Sequence, residues 1–215
     1  MGLIERLNSF NAAHPWSHND FYIPWVLRQL EETPHTSALD VGCGTGNLLE
    51  RLAQRFDSVT GLEPDPLTEQ IASARFHSHT TVKIRRAALA DVSLGERFDA
   101  ATLVAVLHHL PLESTMSRLR EMLSPGGCLV IVGCYRESTA ADRLLSVLAS
   151  GLNPFVGWVK HRKVAERLPV EMTAPIAVPA ETMAEIKRAA LAQLPGCRVS
   201  RRLFWRYSLI FRNPV

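Results

Sequence analysis

The sequence of 215 residues lacks any apolar run that approaches the ~20 residues needed to span a membrane. Its first residues lack the basic segment and apolar core of a signal peptide, and they do not match an N-myristoylation motif. Internal repeats and low-complexity segments are missing as well. These absences predict a single domain over residues 1–215, located in the cytoplasm and without a membrane partner.

Cysteine is scarce, and no two cysteines have the close spacing of a metal-binding pair. The four cysteines are Cys43, Cys128, Cys134 and Cys197. We expect reduced and mostly buried thiols, as is usual for cytosolic proteins. His14 and His18 lie four residues apart, which is the spacing of one helical face. Because Pro15 separates them and no acidic or cysteine cluster accompanies them, we expect no metal site.

The chain has no large excess of one charge, since its net charge is +3. Basic residues concentrate over 160–206, where acidic residues interrupt them. Such a face is compatible with an anionic substrate, with nucleic acid or with an ordinary solvated surface. We favour the solvated surface and do not expect a nucleic-acid partner.

What the sequence does contain is a strand, a glycine turn and a helix in immediate succession. An apolar run over 38–41 meets three glycines at alternate positions, Gly42, Gly44 and Gly46, and helical spacing of apolar residues predicts a helix over 46–55. Glycine permits positive φ and lets a ligand approach bare backbone. The start of the helix offers free N–H groups to a polar ligand group.

An acidic residue follows the next predicted strand. The strand over 58–62 ends at Glu63, about 20 residues after the glycine turn, where a carboxylate can accept hydrogen bonds from ribose hydroxyls. The third glycine stands at the fifth position of the motif, whereas the dinucleotide fingerprint has it at the sixth. Strand, glycine turn, helix, strand and terminal acid together indicate a ligand that contains a ribose.

Strands and helices alternate through the centre of the chain, which predicts βαβ units and a parallel sheet. The predicted strands are 38–42, 58–62, 81–86, 99–104 and 127–134, and the predicted helices between them are 46–55, 66–76 and 112–123. Residues 124–127, SPGG, predict a helix stop and a turn before the fifth strand. Towards the C-terminus we expect a helix over 180–194 and strands over 197–199 and 202–211.

Several of these segments resemble motifs of the class I S-adenosylmethionine (SAM)-dependent methyltransferases. Residues 40–46, DVGCGTG, resemble motif I, and residues 61–65, GLEPD, resemble motif II. Residues 98–100 with 107–110, and then 123–127, resemble later landmarks of that family, so the resemblance covers about 36–134. It implies an α/β, Rossmann-like doubly wound sheet, mostly parallel with an antiparallel last strand. It also implies SAM as cofactor and S-adenosylhomocysteine as product.

The resemblance further implies which residues bind the cofactor. They are Asp40, Gly42, Cys43, Gly44, Gly46, Asn47, Glu63, Pro64, Ala88, Leu89, Asp91 and Ala105. This chain departs from the family pattern at Ala88, where an acidic residue usually binds the adenine amino group. Either Asp91 reaches the adenine instead, or backbone atoms bind it while Leu89 packs on the ring.

His108 and His109 follow the fourth strand, and the resemblance places them beside the methionine end of the cofactor. A neutral imidazole can take a proton from a phenol, hydroxyl or amine, so either histidine is a candidate general base with an apparent pKa near ~6.5. The alternative is that they only pack against or orient the cofactor. Methyl transfer from a sulfonium requires positioning more than acid–base catalysis.

Two segments outside this core are candidates for the substrate pocket. Residues 1–35 form a predicted helical lid, and its aromatic stretch suggests that Trp16, His18, Phe21 and Tyr22 line a substrate pocket. His108, after the fourth strand, is predicted to line the same pocket. The insertion over 135–179, an apolar helix followed by a loop with three prolines, is predicted to cap the substrate. The alternatives are that the aromatic residues only pack on the sheet and that the inserted helix only covers it.

These features predict a methyltransferase that acts on a small organic acceptor. Compounds of secondary metabolism are among the expected acceptors. An RNA- or protein-directed methyltransferase is an alternative, although residues 105–108 lack the Asn-Pro-Pro-Tyr-type motif of base amino methylation. A non-catalytic SAM-binding module is a second alternative. The acceptor atom and the oligomeric state stay open.

Overall fold

A seven-stranded sheet forms the centre of the computed structural model, which describes residues 2–164 and 177–215. The strands are β1 Ser37–Val41, β2 Ser58–Leu62, β3 Val82–Arg85, β4 Phe98–Val104, β5 Leu123–Cys134, β6 Arg198–Arg202 and β7 Arg206–Arg212. Their order across the sheet is β3-β2-β1-β4-β5-β7-β6. Strands β1 to β5 are parallel, whereas β7 is antiparallel to both β5 and β6. The predicted Rossmann-like, doubly wound α/β fold with an antiparallel last strand is confirmed.

Helices cover both faces of the sheet. They are α1 Leu3–Ala13, α2 His18–Phe21, α3 Ile23–Gln29, α4 Asn47–Leu52, α5 Pro66–Arg75, α6 Leu112–Glu121, α7 Ala140–Lys160 and α8 Met183–Gln193. Two 3-10 turns, Leu89–Asp91 and Leu107–His109, follow β3 and β4. One core layer packs α6 and α8 on the sheet, and the other packs α3 and α4 on its opposite face. The core therefore fixes the carboxyl ends of β1, β2 and β4 in a single layer.

The sequence placed the start of the fifth strand wrongly. Residues 124–127 were predicted to form a turn before a strand at 127, but β5 begins at Leu123 and contains them. The strand absorbs this segment through a register shift against β4, between Phe98 and Ala100, and Gly126 adopts a left-handed φ of 76°. A bulge of this kind keeps the two strands paired, so Pro and Gly do not end the strand here.

The prediction of one strand over 202–211 is also wrong. A tight turn at residues 203–205 separates β6 from β7, and Phe204 and Trp205 both have positive φ, 56° and 59°. Aromatic side chains at positive φ are unusual and persist where the surrounding structure holds them. Phe204 is 2% exposed and packs in an aromatic cluster, so tertiary contacts impose a turn that local sequence does not suggest.

The insertion after β5 is described up to residue 164 and again from 177. Its helix α7 is capped by the side chain of Thr139, which accepts a hydrogen bond from the N–H of Asp142. The predicted loop with Pro169 and Pro175 lies outside the described residues. Within the described part of the chain, no helix is both long and apolar enough to cross a bilayer.

Helix α7 faces the protein with small and polar residues rather than with its large apolar ones. The inner stripe has helical spacing and consists of Asp142, Ser146, Ala149, Asn153 and Gly157. Large apolar residues of the same helix, such as Leu144, Val147 and Phe155, are between 62% and 69% exposed. The inner stripe therefore joins α7 to the protein largely through hydrogen bonds, which are described below.

Candidate active site at the carboxyl ends of the strands

The three glycines of the turn after β1 are all left-handed, with φ of 66°, 56° and 93° for Gly42, Gly44 and Gly46. A Cβ on Gly42 would lie 2.4 Å from Val106, and one on Gly46 would lie 2.3 Å from the ring of Phe76. Protein packing therefore explains both of these glycines. A Cβ on Gly44 would meet nothing within 4 Å. The bare backbone of Gly44 faces open space, which is what a closely approaching ligand requires.

Glu63 at the end of β2 is held in one orientation by the turn itself. The N–H of Gly44 donates to its Oε2 at 3.0 Å, and the N–H of Asp65 donates to its Oε1 at 3.0 Å. The residue is 7% exposed, and each carboxylate oxygen keeps a lone pair that these bonds do not use. The two carboxylate oxygens of Glu63 are thus fixed acceptors beside the open backbone of Gly44, as the ribose-binding prediction requires.

Asp40 lies within β1 below the turn and is 2% exposed. Burial raises the pKa of its carboxyl to about 7, although a hydrogen bond donated by Thr102 to its Oδ1, at 2.7 Å, acts in the opposite direction. The negative charge of Glu63 also raises the pKa of Asp40. Cys43 is buried beside them, and burial raises the pKa of its thiol, so this cysteine is an unreactive packing residue.

The other predicted cofactor residues surround this turn. Ala105 has a φ of 58° directly after β4, and its N–H donates to the carbonyl of Val132 at 2.7 Å. A non-glycine residue in this conformation is strained, and such strain clusters at ligand sites. Asn47 begins α4, and Pro64 is exposed beside Glu63.

The residues predicted near the adenine follow β3. Asp91 accepts a hydrogen bond from the N–H of Ala88 at 3.0 Å and thereby caps the short 3-10 turn. Leu89 is 4% exposed and belongs to the core layer under α6 and α8. Both choices for the adenine contact stay predictions: a bond from Asp91, and backbone atoms with Leu89 against the ring.

We call Gly42–Gly46, Glu63 and Ala105 the glycine edge. The glycine edge fits a nucleoside that also carries a positively charged group, because it offers open backbone at Gly44 and the two fixed carboxylate oxygens of Glu63. Gly44 and Glu63 would hold such a ligand.

The rings of His108 and His109 contact each other in a tilted arrangement, with centroids 4.2 Å apart, in the 3-10 turn after β4. His108 is half-buried, and its Nδ1 is a fully buried atom without a hydrogen-bond partner among the described residues. Burial lowers the pKa of His108 to about 4, and the charges of His109 and Arg206 act in the same direction. The ring is therefore neutral at pH 7, whereas His109 is exposed to solvent.

The N-terminal segment lies at the carboxyl ends of the strands, and Asn153 of α7 binds two of its side chains. Oδ1 of Asn153 accepts a hydrogen bond from Nε1 of Trp16 at 3.0 Å and is bonded to Nε2 of His18 at 2.8 Å. Burial lowers the pKa of His18, so the neutral ring donates from Nε2. His14 contacts the carbonyl of His161 instead, at 2.6 Å, so the two histidines do not share a ligand. No group of three or more potential metal ligands converges in the described residues.

The same segment is fastened at two more points. The hydroxyl of Tyr22 donates to the carbonyl of Leu203 at 2.8 Å, and burial raises the pKa of Tyr22 to about 12. Nδ2 of Asn47 donates to Asp20 at 2.9 Å, which connects α2 to the start of α4. Phe21 is only partly covered, with 38% of its surface exposed.

An aromatic cluster lies where the N-terminal segment meets the turn between β6 and β7. Trp16 and Phe21 both make edge contacts with the ring of Phe204, at centroid distances of 4.8 Å and 5.3 Å. The ring of His18 contacts Phe204 in a tilted arrangement and Trp205 edge-on, and Nε1 of Trp205 donates to Ser146 of α7 at 2.8 Å. The structure thus brings together Trp16, His18, Phe21 and Tyr22, the predicted pocket residues of the N-terminal segment.

Three residues here were missed by sequence reasoning: Asn153, Phe204 and Arg206. Arg206 pairs with Cys134 at the carboxyl end of β5, and its Nη2 donates to Oδ1 of Asn19 at 3.0 Å. Two signals were available, since Asn153 is an isolated amide in an apolar helix and Arg206 interrupts an aromatic strand. We call Trp16, His18, Asn153, Phe204 and Arg206 the aromatic edge.

Comparison with known proteins agrees with this geometry. Residues 39–129 match the family model described as a methyltransferase domain. An uncharacterized methyltransferase of Mycobacterium bovis is 32% identical over 206 residues, covering 94% of this chain and 98% of that protein. A ubiquinone biosynthesis O-methyltransferase of Pseudomonas syringae is 31% identical over 169 residues, covering 73% of this chain and 71% of that protein.

The fold agrees with solved structures as well. A SAM-dependent methyltransferase from Aquifex aeolicus superposes with a TM-score of 0.61 at 14% identity, covering 99% of each chain. The glycine edge, the strand order and the relative of nearly equal length lead to one assignment. The chain belongs to the class I SAM-dependent methyltransferases, and SAM is its cofactor.

Proposed function

We propose that this methyltransferase modifies a small organic acceptor held at the aromatic edge, beneath the N-terminal segment and α7. The observation that carries the proposal is that Oδ1 of Asn153 in α7 binds two side chains of the N-terminal segment, Trp16 and His18. Two segments that are 135 or more residues apart thereby form one cover over the carboxyl ends of the strands. A cover of aromatic and imidazole side chains suits an organic molecule better than a nucleic-acid strand.

SAM supplies a methyl group on a sulfonium sulfur, which is already a good leaving group. We assign its binding to Gly44 and Glu63, one as open backbone and one as an oriented acceptor for ribose hydroxyls. The remaining task of the chain is to hold the acceptor in line and to exclude water. Residues 11–22 and α7 perform that task in this proposal as lid and cap.

We infer that His108 orients the acceptor rather than serving as a strong base. A histidine with a pKa of about 4 is neutral at pH 7 but has little driving force to take a proton. Its buried Nδ1 remains available for a hydrogen bond. The general base that the sequence suggested would then have to be the exposed His109, or the reaction proceeds by positioning alone.

A small-molecule acceptor is also supported by the ubiquinone biosynthesis O-methyltransferase, whose name refers to the synthesis of a small molecule. The RNA- or protein-directed alternative has no comparable support in the described residues. A role in secondary metabolism and a cytoplasmic location remain part of the proposal.

Hydrogen exchange in the presence of SAM tests the lid. SAM should protect the amides of 11–22 much more than those of surface helix α5, because only the former cross the site. In parallel, a library of small phenols, amines and acids should contain acceptors that release S-adenosylhomocysteine. Equal protection of the two segments would contradict the proposal that residues 11–22 form a lid. Turnover only with RNA or protein would overturn the small-molecule proposal.

A further inference from the structure

Arg206 is an arginine whose charge the described residues leave unmatched. Its Nη1 donates to the carbonyl of Phe204 at 3.4 Å and its Nη2 to Oδ1 of Asn19 at 3.0 Å, and both acceptors are neutral. Its Nε is fully buried and has no hydrogen-bond partner within residues 2–164 and 177–215. A guanidinium has five N–H donors, and native structures seldom leave a buried one unused.

Its neighbours on the same hairpin show that this is particular to Arg206. Three other arginines have an anionic or aromatic partner: Arg201 with Asp142, Arg202 with the ring of Trp25, and Arg212 with Glu32. Arg198 is exposed to solvent. Among the described residues no ion pair includes Arg206, although it is only partly exposed.

A second buried atom without a partner among the described residues belongs to His108, whose turn follows a neighbouring part of the same sheet. Nδ1 of His108 is buried without a partner in the part of the chain that the structure describes. His108 follows β4 and Arg206 begins β7, and β5 lies between these two strands. The charge of Arg206 acts on the pKa of His108 and of His18, so the guanidinium lies near both histidines.

We propose that the acceptor carries a negatively charged group of the carboxylate class, which binds the guanidinium of Arg206 beside His108. This inference rests on the small-molecule function proposed above and adds the chemical class of the substrate. A carboxylate accepts from Nε–H and from a remaining Nη–H of a guanidinium in a planar, two-bond arrangement. Neutral His108 can donate a further hydrogen bond to the same molecule from Nδ1, in the tautomer that carries the proton there.

Matched acids and amides test the charge without knowledge of the natural acceptor. The probes are 4-fluorobenzoate and 4-fluorocinnamate with their neutral amides, observed by fluorine NMR with the protein saturated with S-adenosylhomocysteine. The wild type should bind each acid ~10-fold more tightly than its amide, since one charge-assisted pair separates them. Added salt should weaken the binding of the acids and leave that of the amides unchanged.

Variants locate the effect. Arg206→Gln should reduce the acid-to-amide ratio to about one, and Arg206→Lys should restore part of it because the charge returns without the fork. The matched control is Arg212→Gln, which removes an arginine from the other end of β7, where Glu32 already pairs with it. Its acid-to-amide ratio should equal that of the wild type. Affinity for S-adenosylhomocysteine should be the same in all three variants.

The outcomes separate this inference from the proposed function. Equal binding of acid and amide by the wild type, absence of binding by either, or an equal loss in Arg212→Gln would overturn the anion site. None of these results affects a methyltransferase that binds S-adenosylhomocysteine and turns over a neutral acceptor. Conversely, an acid preference that depends on Arg206, with turnover only on RNA or protein, supports the anion site and contradicts the small-molecule function. If Arg206→Gln does not fold, the acid-to-amide affinity ratio of the wild type and its salt dependence still test the anion site.

Discussion

The glycine edge and the aromatic edge lie at the same end of one sheet but are built in different ways. At the glycine edge, contacts are local: Gly44 and Glu63 are 19 residues apart, and backbone N–H groups orient the carboxylate. At the aromatic edge, side chains from distant parts of the chain bind one another: Trp16 binds Asn153, and Arg206 binds Asn19. A shared cofactor requires a constant geometry, whereas a substrate pocket can change by exchanging side chains. We therefore expect variants at the two edges to change different properties.

At the glycine edge, replacement of Glu63 should give the largest loss of SAM affinity. Glu63→Ala removes two acceptor oxygens facing the proposed ribose site, and charge-assisted bonds of ~1.5–3 kcal/mol each correspond to a ~10²–10⁴-fold loss of SAM affinity. Isothermal titration calorimetry measures it. The control is Glu50→Ala, which breaks an exposed ion pair with Arg75 on the neighbouring helix. SAM affinity close to wild type in Glu63→Ala would show that the ribose does not bind there.

Two glycines of the same turn should separate binding from stability. Gly44→Ala places a methyl group in open space, so SAM affinity should fall at least ~10-fold, while the left-handed φ costs ~1–2 kcal/mol of stability. Gly46→Ala adds a clash with Phe76 to a left-handed φ, so its unfolding free energy should fall further, by ~1–3 kcal/mol. Urea denaturation and calorimetry on both variants test this. Equal SAM affinity in Gly44→Ala and wild type would mean that no ligand approaches this backbone.

The aromatic edge should respond in stability rather than in cofactor affinity. Asn153→Leu leaves Nε1 of buried Trp16 and Nε2 of His18 without their acceptor, which should lower the unfolding free energy by ~1–3 kcal/mol. SAM affinity should fall far less than in Glu63→Ala, because Gly44 and Glu63 are untouched. Ser150→Leu on the exposed side of α7 is the control and should have little effect. If Asn153→Leu lost SAM binding as strongly as Glu63→Ala, the two edges would not be separable.

The smallest net effect we expect comes from two opposed pH dependences, one from Asp40 beneath the glycine edge and one from His108 after β4. Asp40 has a pKa of about 7 in the folded chain, against 3.8 ordinarily, so it contributes stability at low pH that is lost as pH rises through about 4 to 7. His108 has a folded pKa of about 4, against 6.5 ordinarily, so its neutral burial costs stability as pH falls through about 6.5 to 4. Between about pH 4 and 6.5 the two contributions oppose each other.

Single variants should expose each slope. Asp40→Asn keeps the acceptor for Thr102, and its stability should rise with pH over this window, whereas the stability of His108→Gln should fall. Urea unfolding at several pH values measures both, with the exposed His77→Gln as control. Unchanged slopes in both variants would contradict the buried environments of Asp40 and His108.

The sequence predicted most of the fold and the glycine edge because their signals are local. Alternating apolar segments placed β1 to β4 within about one residue, and Gly42–Gly46 with Glu63 lie together as the motif implies. The turn at Phe204 was not predictable, because distant aromatic contacts, and not its own residues, favour positive φ there. Neither was Asn153, since its partners lie 135 and 137 residues away. Helix α7 was predicted in the right place, but its apolar residues gave no indication that its polar face lies inward.

The position of β7 between β5 and β6 has a consequence for how the chain assembles. Strands β1 to β5 and the whole glycine edge are translated before β7, so the sheet can begin to form with the edge of β5 unpaired. Pairing of β5 with β7 closes a loop of more than 70 residues, a slow step with a large entropic cost. Arg206 is the first residue of β7. The cofactor-binding part of the site can thus form early, and Arg206, which is proposed to select the acceptor, takes its place only when β7 pairs with β5.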